Sequence, residues 1–232
     1  MSTYINHAKW QTKDLGFTSI YFYGDLPKRK CIYISSSTKS GKENKKYLYA
    51  SALEASLMGY DVAFIPSGGA SDPIENGILD GEGRPHIILP KGIKKIHRKT
   101  ISRAILFGGS VISGRKDGDF SIENLMLAKY IASTLSDALV IGESVLDSQY
   151  GYYILNMLDD GKDISVLKTS LGSKFLNSLV LDGCLAINSF SDFVKEPLCF
   201  VYPSDRGRYS QEGFCFDIIR YGDWHARDRK LH

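Results

Sequence analysis

The stretch 64–75 constrains the fold of this chain more than any other part of the sequence. An apolar run at 62–65 ends in a Ser-Gly-Gly turn, and a Ser-Asp-Pro helix start follows at 71–73. Serine and aspartate cap helices, and proline suits the first helical turn. A strand, a glycine turn and a helix N-terminus bind anions, because free N–H groups and the helix dipole favour negative charge. We therefore predict a phosphate-binding turn at Ser67, Gly68, Gly69 and Ala70.

Short apolar runs alternate with helical patterns along most of the chain. The runs suit strands that are buried on both faces, as in a parallel sheet. Strands are predicted near 31–34, 62–65, 86–89, 110–113, 138–141, 164–167 and 185–187, and helices near 44–58, 72–80, 121–135 and 150–158. This alternation predicts an α/β, Rossmann-like fold: a doubly wound, mostly parallel sheet with helices on both faces and a short C-terminal extension.

The length of 232 residues suits one large domain with small additions at its ends. We predict a lead-in segment at 1–29 with a short strand at 20–23, a Rossmann-like domain at 30–196, and a tail or small subdomain at 197–232. The last segment departs from the alternating pattern, and its run 214–219 suits an edge strand.

Composition excludes several classes of protein and leaves others open. The formal net charge of +3 does not by itself indicate a nucleic-acid binder. Four widely spaced cysteines, Cys31, Cys184, Cys199 and Cys215, are interpreted as buried reduced thiols. The five histidines are scattered, so no metal site and no cofactor are expected. No segment resembles a leader or a membrane span, so we expect a cytoplasmic protein without membrane contact.

Polar and basic residues follow the predicted strands where the strands end. Ser35, Ser36 and Ser37 follow the first apolar run, with Lys39 and Lys42 behind them, and Lys91 and Gly92 follow the run 86–89. Because the carboxyl ends of parallel strands share one edge, the turns after Ile34, Pro66 and Leu89 are expected at a single rim. The basic stretch 91–103 suits either a solvated face or part of this rim. Tyr150 and Tyr152 suit either core packing or stacking on bases.

Several short motifs follow one another in a recognisable order. Residues 67–70 read Ser-Gly-Gly-Ala, residues 135–144 read Leu-Ser-Asp-Ala-Leu-Val-Ile-Gly-Glu-Ser, and residues 161–164 read Gly-Lys-Asp-Ile. In order and spacing they resemble the Rossmann-like domain of the DNA-processing protein A (DprA/Smf) family, as a divergent member, over about residues 18–193. The family's first-strand arginine falls on Ser37, and its Arg-Asn-Arg element falls either around Asn124 or near Lys129, without arginines in either placement.

The resemblance implies a DNA-binding protein rather than an enzyme. It implies single-stranded DNA binding in DNA uptake (natural transformation) and recombination, loading of a RecA-type recombinase, and a homodimer. The phosphate-binding or nucleic-acid-binding residues would be Ser35, Ser36, Ser37, Lys39, Lys42, Ser67, Gly68, Gly69, Ala70, Lys91, Gly92, Asn124, Glu143, Ser148 and Gly151, with charge added by Lys94 and Lys95.

Two other functions stay open at this point. The chain could bind nucleotides as a sensor or cleave them as a phosphoribohydrolase, with Glu143, Asp72 or Glu75 for acid–base work. The phosphoribohydrolase pattern Pro-Gly-Gly-x-Gly-Thr-x-x-Glu is absent from the sequence. A structural or interaction module, with the aromatic C-terminal segment covering a dimer surface, is the third interpretation.

Overall fold

Strands that are apolar on both sides produce a nine-stranded sheet of the predicted kind. The computed structural model describes residues 10–36, 41–66, 72–93, 98–142, 152–167, 174–181, 184–187, 198–200 and 214–216. The strands of this sheet are β1 Gln11–Asp14, β2 Ser19–Gly24, β3 Cys31–Ser36, β4 Asp61–Phe64, β5 Arg84–Leu89, β6 Ser110–Ser113, β7 Ala138–Gly142, β8 Asp163–Leu167 and β9 Leu185–Ile187. The described helices are α1 Lys42–Leu57, α2 Pro73–Asp80, α3 Arg98–Leu106, α4 Ile122–Leu135, α5 Tyr152–Asp159 and α6 Lys174–Leu181.

The strand order is β1-β2-β6-β5-β4-β3-β7-β8-β9. Strands β3 to β9 run parallel to one another. Strand β2 pairs antiparallel with β6, and β1 pairs antiparallel with β2. The chain builds outward from β3 to β6 and then returns to β7 on the other side of β3. The predicted doubly wound, Rossmann-like fold is therefore confirmed.

Helices cover both faces of the sheet, as the sequence predicts. Helices α1, α2 and α3 pack on one face through Leu48, Ala52, Ala55, Ile74, Ile78, Ile101 and Ala104. Helices α4, α5 and α6 pack on the other face through Ala128, Ile131, Ala132, Tyr153, Ile154, Met157, Leu176 and Leu179. Burial of these two apolar layers provides most of the driving force for folding.

Local signals set the ends of several helices. Asp72 caps α2 by accepting a hydrogen bond from the Ile74 N–H at 3.0 Å, and Pro73 occupies the first turn, as predicted. Ser121 caps α4 by accepting from the Asn124 N–H at 3.1 Å. Gly59 follows α1 with φ of +83°, a conformation that glycine adopts at little cost.

Four elements were missed by the sequence-based expectation. Helix α3 overlaps the basic stretch 91–103, and charged residues obscure its buried pair Ile101 and Ala104. Helix α6 was also missed, and strand β1 adds a hairpin to the predicted strand near 20–23. The expected strand in 214–219 is present as β11 Phe214–Phe216, which pairs with the unpredicted β10 Leu198–Phe200 in a separate two-stranded antiparallel sheet.

The predicted lead-in segment contributes two strands to the main sheet. Strands β1 and β2 of the lead-in belong to the main sheet, while the domain limits at 29/30 and 196/197 stay predictions. Cys31 and Cys184 are buried thiols outside any disulfide, as expected, and burial raises the pKa of the Cys31 thiol. No helix in the described ranges is both long and apolar enough to span a membrane.

Candidate functional site

The parallel strands bring their ends together at one edge of the sheet, named here the carboxyl edge. Because β3, β4 and β5 are parallel neighbours, the turns after Ile34, Pro66 and Leu89 leave from this same edge, as predicted. Strands β6, β7 and β8 end there too, and helices α1, α2, α4 and α5 begin there. In open α/β sheets ligands bind outside this edge, where the strand order reverses.

The reversal of strand order lies between β3 and β7. Ser35 pairs with Ile141 and Ser36 with Gly142 across these two strands. The buried Asn44 side chain, in the first turn of α1, donates its Nδ2–H to the Gly142 carbonyl oxygen at 2.6 Å. A side chain on Gly142 would collide with Leu48, so α1 approaches β7 closely here. The N-terminus of α1 is thereby fixed at the switch point of the sheet.

Three predicted residues surround this switch point. Ser35 is buried, with 1% of its surface exposed, and its Oγ has no hydrogen-bond partner in the described part of the chain. Ser36 is half-buried, and Lys42 is exposed at the first position of α1. The N-cap of α1 is Gly41, which offers no side-chain acceptor to the helix N–H groups. The switch point therefore combines a free hydroxyl, a lysine and the positive end of a helix dipole.

The turns after β5 and β6 are joined to each other. The Gly92 N–H donates to the Gly118 carbonyl oxygen at 2.9 Å, and the Ile93 N–H donates to the Arg115 carbonyl oxygen at 3.2 Å. Ser113 Oγ lies 2.8 Å from the Lys91 carbonyl oxygen and accepts from the Arg115 N–H at 3.0 Å. The Gly92 N–H is thus engaged inside the protein, and the half-buried Lys91 stands beside it.

Asn124 lies at this edge and orders the β6–α4 turn. Its Nδ2–H donates to the Asp119 carbonyl oxygen at 2.9 Å, and its Oδ1 accepts from Arg115 Nε at 3.3 Å. Arg115 is exposed, and so is Lys116. Sequence reasoning missed Arg115 as a site residue, although its place two residues after a strand end was a usable signal.

Exposed apolar side chains flank these cations. Phe120 and Ile122, at the start of α4, are 62% and 52% exposed, and Tyr152, at the start of α5, is 55% exposed. The expectation that Tyr152 packs in the core is therefore wrong. The neighbouring Tyr153 is the buried residue instead. Exposed aromatic rings beside cations are typical of single-stranded nucleic-acid sites.

The second placement of the family's Arg-Asn-Arg element, near Lys129, lies in a different environment. Lys129 is 6% exposed, and its Nζ lies 5.0 Å from the centre of the Tyr153 ring, between α4 and α5. Asn124 and its Arg115 partner, in contrast, lie at the carboxyl edge near solvent. Of the two placements, the one at Asn124 is the one that reaches the candidate site.

The carboxylates considered for catalysis have structural partners. Asp72 is buried and caps α2, and Glu75 Oε1 lies 3.3 Å from Arg103 Nη1 of α3. Burial raises the pKa of Glu75, against the lowering effects of Arg103 and Lys99 and with a raising effect of Asp72. Nowhere in the described ranges do three His, Cys, Asp or Glu side chains converge as a metal site would require.

The remaining predicted site residues lie outside the described residues. They are Ser37, Lys39, Ser67, Gly68, Gly69, Ala70, Lys94, Lys95, Glu143, Ser148, Tyr150 and Gly151. Their assignment to phosphate or nucleic-acid binding stays a prediction.

Comparison with solved structures places the fold. The chain superimposes on DNA processing protein A from Streptococcus pneumoniae with a TM-score of 0.62 and 15% identity, over 77% of this chain and 66% of that one. It superimposes on DNA processing protein A from Helicobacter pylori, a structure described for its single-stranded DNA binding mode, with a TM-score of 0.61 and 17% identity, over 82% and 96%. The chain therefore has a DprA-like Rossmann fold at low sequence identity.

A second kind of protein shares the fold more distantly. The molybdenum cofactor binding protein from Rippkaea orientalis superimposes with a TM-score of 0.50 and 15% identity, over 72% of this chain and 95% of that one. No protein-family model matches the sequence. No curated protein matches it either.

Proposed function

We propose that this protein binds single-stranded DNA along the carboxyl edge of its sheet. The observation that carries the proposal is that exposed cations and exposed aromatic rings occur along this one edge: Lys42, Arg115, Lys116, Phe120 and Tyr152. Cations neutralise phosphates, and aromatic rings stack on unpaired bases. The fold of the H. pylori protein, which is described for its single-stranded DNA binding mode, supports the same ligand.

Acidic residues reduce the net positive charge of this site. Asp117, Asp119 and Glu123 lie in the same segment as Arg115 and Lys116. Carboxylates repel phosphates, so few phosphates can be neutralised on this side of the edge. We therefore expect a shallow salt dependence and a large share of the affinity from base stacking.

The cellular role extends the proposal. We infer that the protein holds single-stranded DNA in the cytoplasm for uptake or recombination, hands it to a RecA-type recombinase, and acts as a homodimer. The resemblance to the DprA/Smf family supports this role. Light scattering of the full chain tests the dimer, and a strand-exchange assay with a RecA-type recombinase tests the loading.

The direct test is fluorescence anisotropy with a labelled oligothymidylate of roughly 20 nucleotides, long enough to span such a groove. Titrations at about 50 and about 200 mM salt should give a weaker complex at the higher salt. A matched duplex, which hides its bases, should bind less well than the single strand. Absence of binding at the lower salt, or equal binding of the duplex, would refute the proposal.

A nucleotide is the second candidate ligand, and one observation favours it. The N-terminus of α1 lies at the switch point, has Gly41 at its N-cap without a side-chain hydrogen bond, and carries the exposed Lys42. A helix N-terminus there suits a phosphate group. A thermal-shift comparison of nucleoside monophosphates with the oligothymidylate separates the two ligands, since only the preferred ligand should raise the melting temperature at micromolar concentration.

A further inference from the structure

A second site lies in a cleft between α4 and α5. A cleft of about 460 Å³ is lined by the C-terminal halves of these two helices and by the turn between β1 and β2. Both helices begin at the carboxyl edge, so their C-terminal halves are the parts farthest from it along the helices. We propose that this cleft binds an organic cation with an apolar body, namely an alkylammonium or alkylguanidinium group.

The walls of the cleft are aromatic. Phe17, in the β1–β2 turn, is 53% exposed, and its ring centre lies 6.5 Å from that of Tyr130 at an angle of 60°. The turn is ordered, because the Leu15 N–H donates to the Thr18 carbonyl oxygen and the Gly16 N–H donates to Asp14 Oδ1, both at 2.9 Å. The π face of an aromatic ring attracts a cation, so the exposed Phe17 ring offers one a contact at the cleft.

The floor of the cleft is apolar, and its rim is acidic. The buried Met157 forms the floor, and Asp159 and Asp160 are exposed at the end of α5. Asp159 has no ion-pair partner among the described residues. The C-terminal ends of α4 and α5 add the negative ends of two helix dipoles. An apolar floor under a negative rim suits a cation that carries a hydrocarbon chain.

The ammonium group of Lys162 lies beside this cleft and contacts its polar groups. Lys162 Nζ donates to the Ser133 carbonyl oxygen in the last turn of α4 at 2.8 Å and lies 3.8 Å from Asp160 Oδ2. This lysine offsets the charge of Asp160 and leaves that of Asp159 for a ligand. The local chemistry therefore selects positive charge and disfavours phosphate, which separates this cleft from the DNA site.

The test uses the full-length protein with ¹³C-methyl methionine and spermidine as the probe. We expect a saturable shift of the Met157 methyl resonance, while Met58 on α1 stays unchanged. Sodium chloride at matched ionic strength is the control for screening. Nα-acetyl-arginine amide is the second probe: a shift with spermidine alone indicates a polyamine, and a shift with both probes indicates that a basic side chain of a protein also fits.

Variants make the outcome decisive. Asp159→Asn should weaken spermidine by about three- to fivefold, the usual effect of one exposed charge. The matched substitution Asp25→Asn, at an exposed carboxylate elsewhere, should leave the affinity unchanged. Phe17→Ala should weaken it further, and oligothymidylate binding should survive both aspartate changes. Linear shifts without saturation, or equal effects of the two aspartate variants, would overturn the proposal.

Discussion

His86 Nε2 lies 3.5 Å from Asp61 Oδ2, and both side chains are almost completely buried. On its other side, His86 Nδ1 lies 2.8 Å from Ser110 Oγ. An aspartate, a histidine and a serine in a row occur in hydrolases, but here all three have 1% or less of their surface exposed. A substrate therefore cannot reach them. The row connects β4, β5 and β6 near the amino ends of β4 and β6, opposite the candidate site.

The first prediction concerns the structural role of Asp61. Its Oδ2 also accepts from the N–H groups of Lys28 at 3.1 Å and Arg29 at 3.2 Å. Asp61→Asn should lower the free energy of unfolding by about 1–3 kcal/mol, because buried donors lose their charged acceptor. Urea denaturation at neutral pH measures the loss. Asp25→Asn, at an exposed carboxylate, should leave the stability nearly unchanged.

The second prediction gives the pH dependence of this stabilisation. Burial by itself would raise the pKa of Asp61, but the contact with His86 and the N–H groups of Arg29 and Lys28 bring it below its usual value. A lowered pKa stabilises the fold above the unfolded pKa of about 3.9, and this contribution disappears as the pH falls through the folded value. The difference between the wild type and Asp61→Asn should shrink as urea titrations move from neutral pH to below about pH 4. If the difference in the free energy of unfolding stayed constant across this pH range, the charge of the Asp61 carboxylate would not be the cause of the stabilisation.

The third prediction concerns Gly92 in the joined turns. A Cβ atom at this position would lie 2.5 Å from the Asp117 carbonyl carbon and 2.6 Å from its Cα. Gly92→Ala should therefore separate the turns, lower the stability by about 1–3 kcal/mol through overpacking, and weaken oligonucleotide binding. Thermal denaturation and anisotropy measure the two effects. Asp25→Asn, at an exposed carboxylate, is the control for stability.

The fourth prediction tests the cations of the carboxyl edge. Arg115→Ala and Lys91→Ala should each weaken the oligothymidylate complex. Each should also reduce the slope of log affinity against log salt by about 0.7, the value for one phosphate contact on a single strand. Lys28→Ala removes an exposed lysine near the amino ends of β3 and β4, opposite the carboxyl edge, and serves as the matched control. Equal slopes for all three variants would mean that these cations do not touch phosphates.

The fifth prediction tests base stacking. Phe120→Ala and Tyr152→Ala should each cost about 1–3 kcal/mol of binding free energy and leave the salt slope unchanged, because stacking involves no phosphate. Leu106→Ala removes an exposed apolar side chain at the C-terminal end of α3, opposite the carboxyl edge, and is the control. If Leu106→Ala weakened the complex as much as the other two, stacking at the edge would be the wrong explanation.

Some of the site could be predicted from the sequence, and the reasons are local. Asp72 and Pro73 indicate the start of α2. The apolar runs at β3, β4 and β5 predict parallel strands whose carboxyl ends share one edge. Helix α3 was hidden, because charged residues surround its buried positions Ile101 and Ala104. Arg115 was missed because its partner Asn124 belongs to the following helix, and a one-dimensional pattern does not show that the two side chains meet.

The alternation of strands and helices, the caps and the doubly wound class of fold follow from residue types a few positions apart, so they are readable in the sequence. Three other features emerge only in the folded chain: β7 lies beside β3, the turns at Gly92 and Gly118 are hydrogen-bonded, and His86 is buried beside Asp61. These pairs are distant in sequence. Their contacts exist only after the two apolar layers have packed on the sheet, since hydrophobic burial is non-directional and the choice of neighbours follows from the packing of the whole chain.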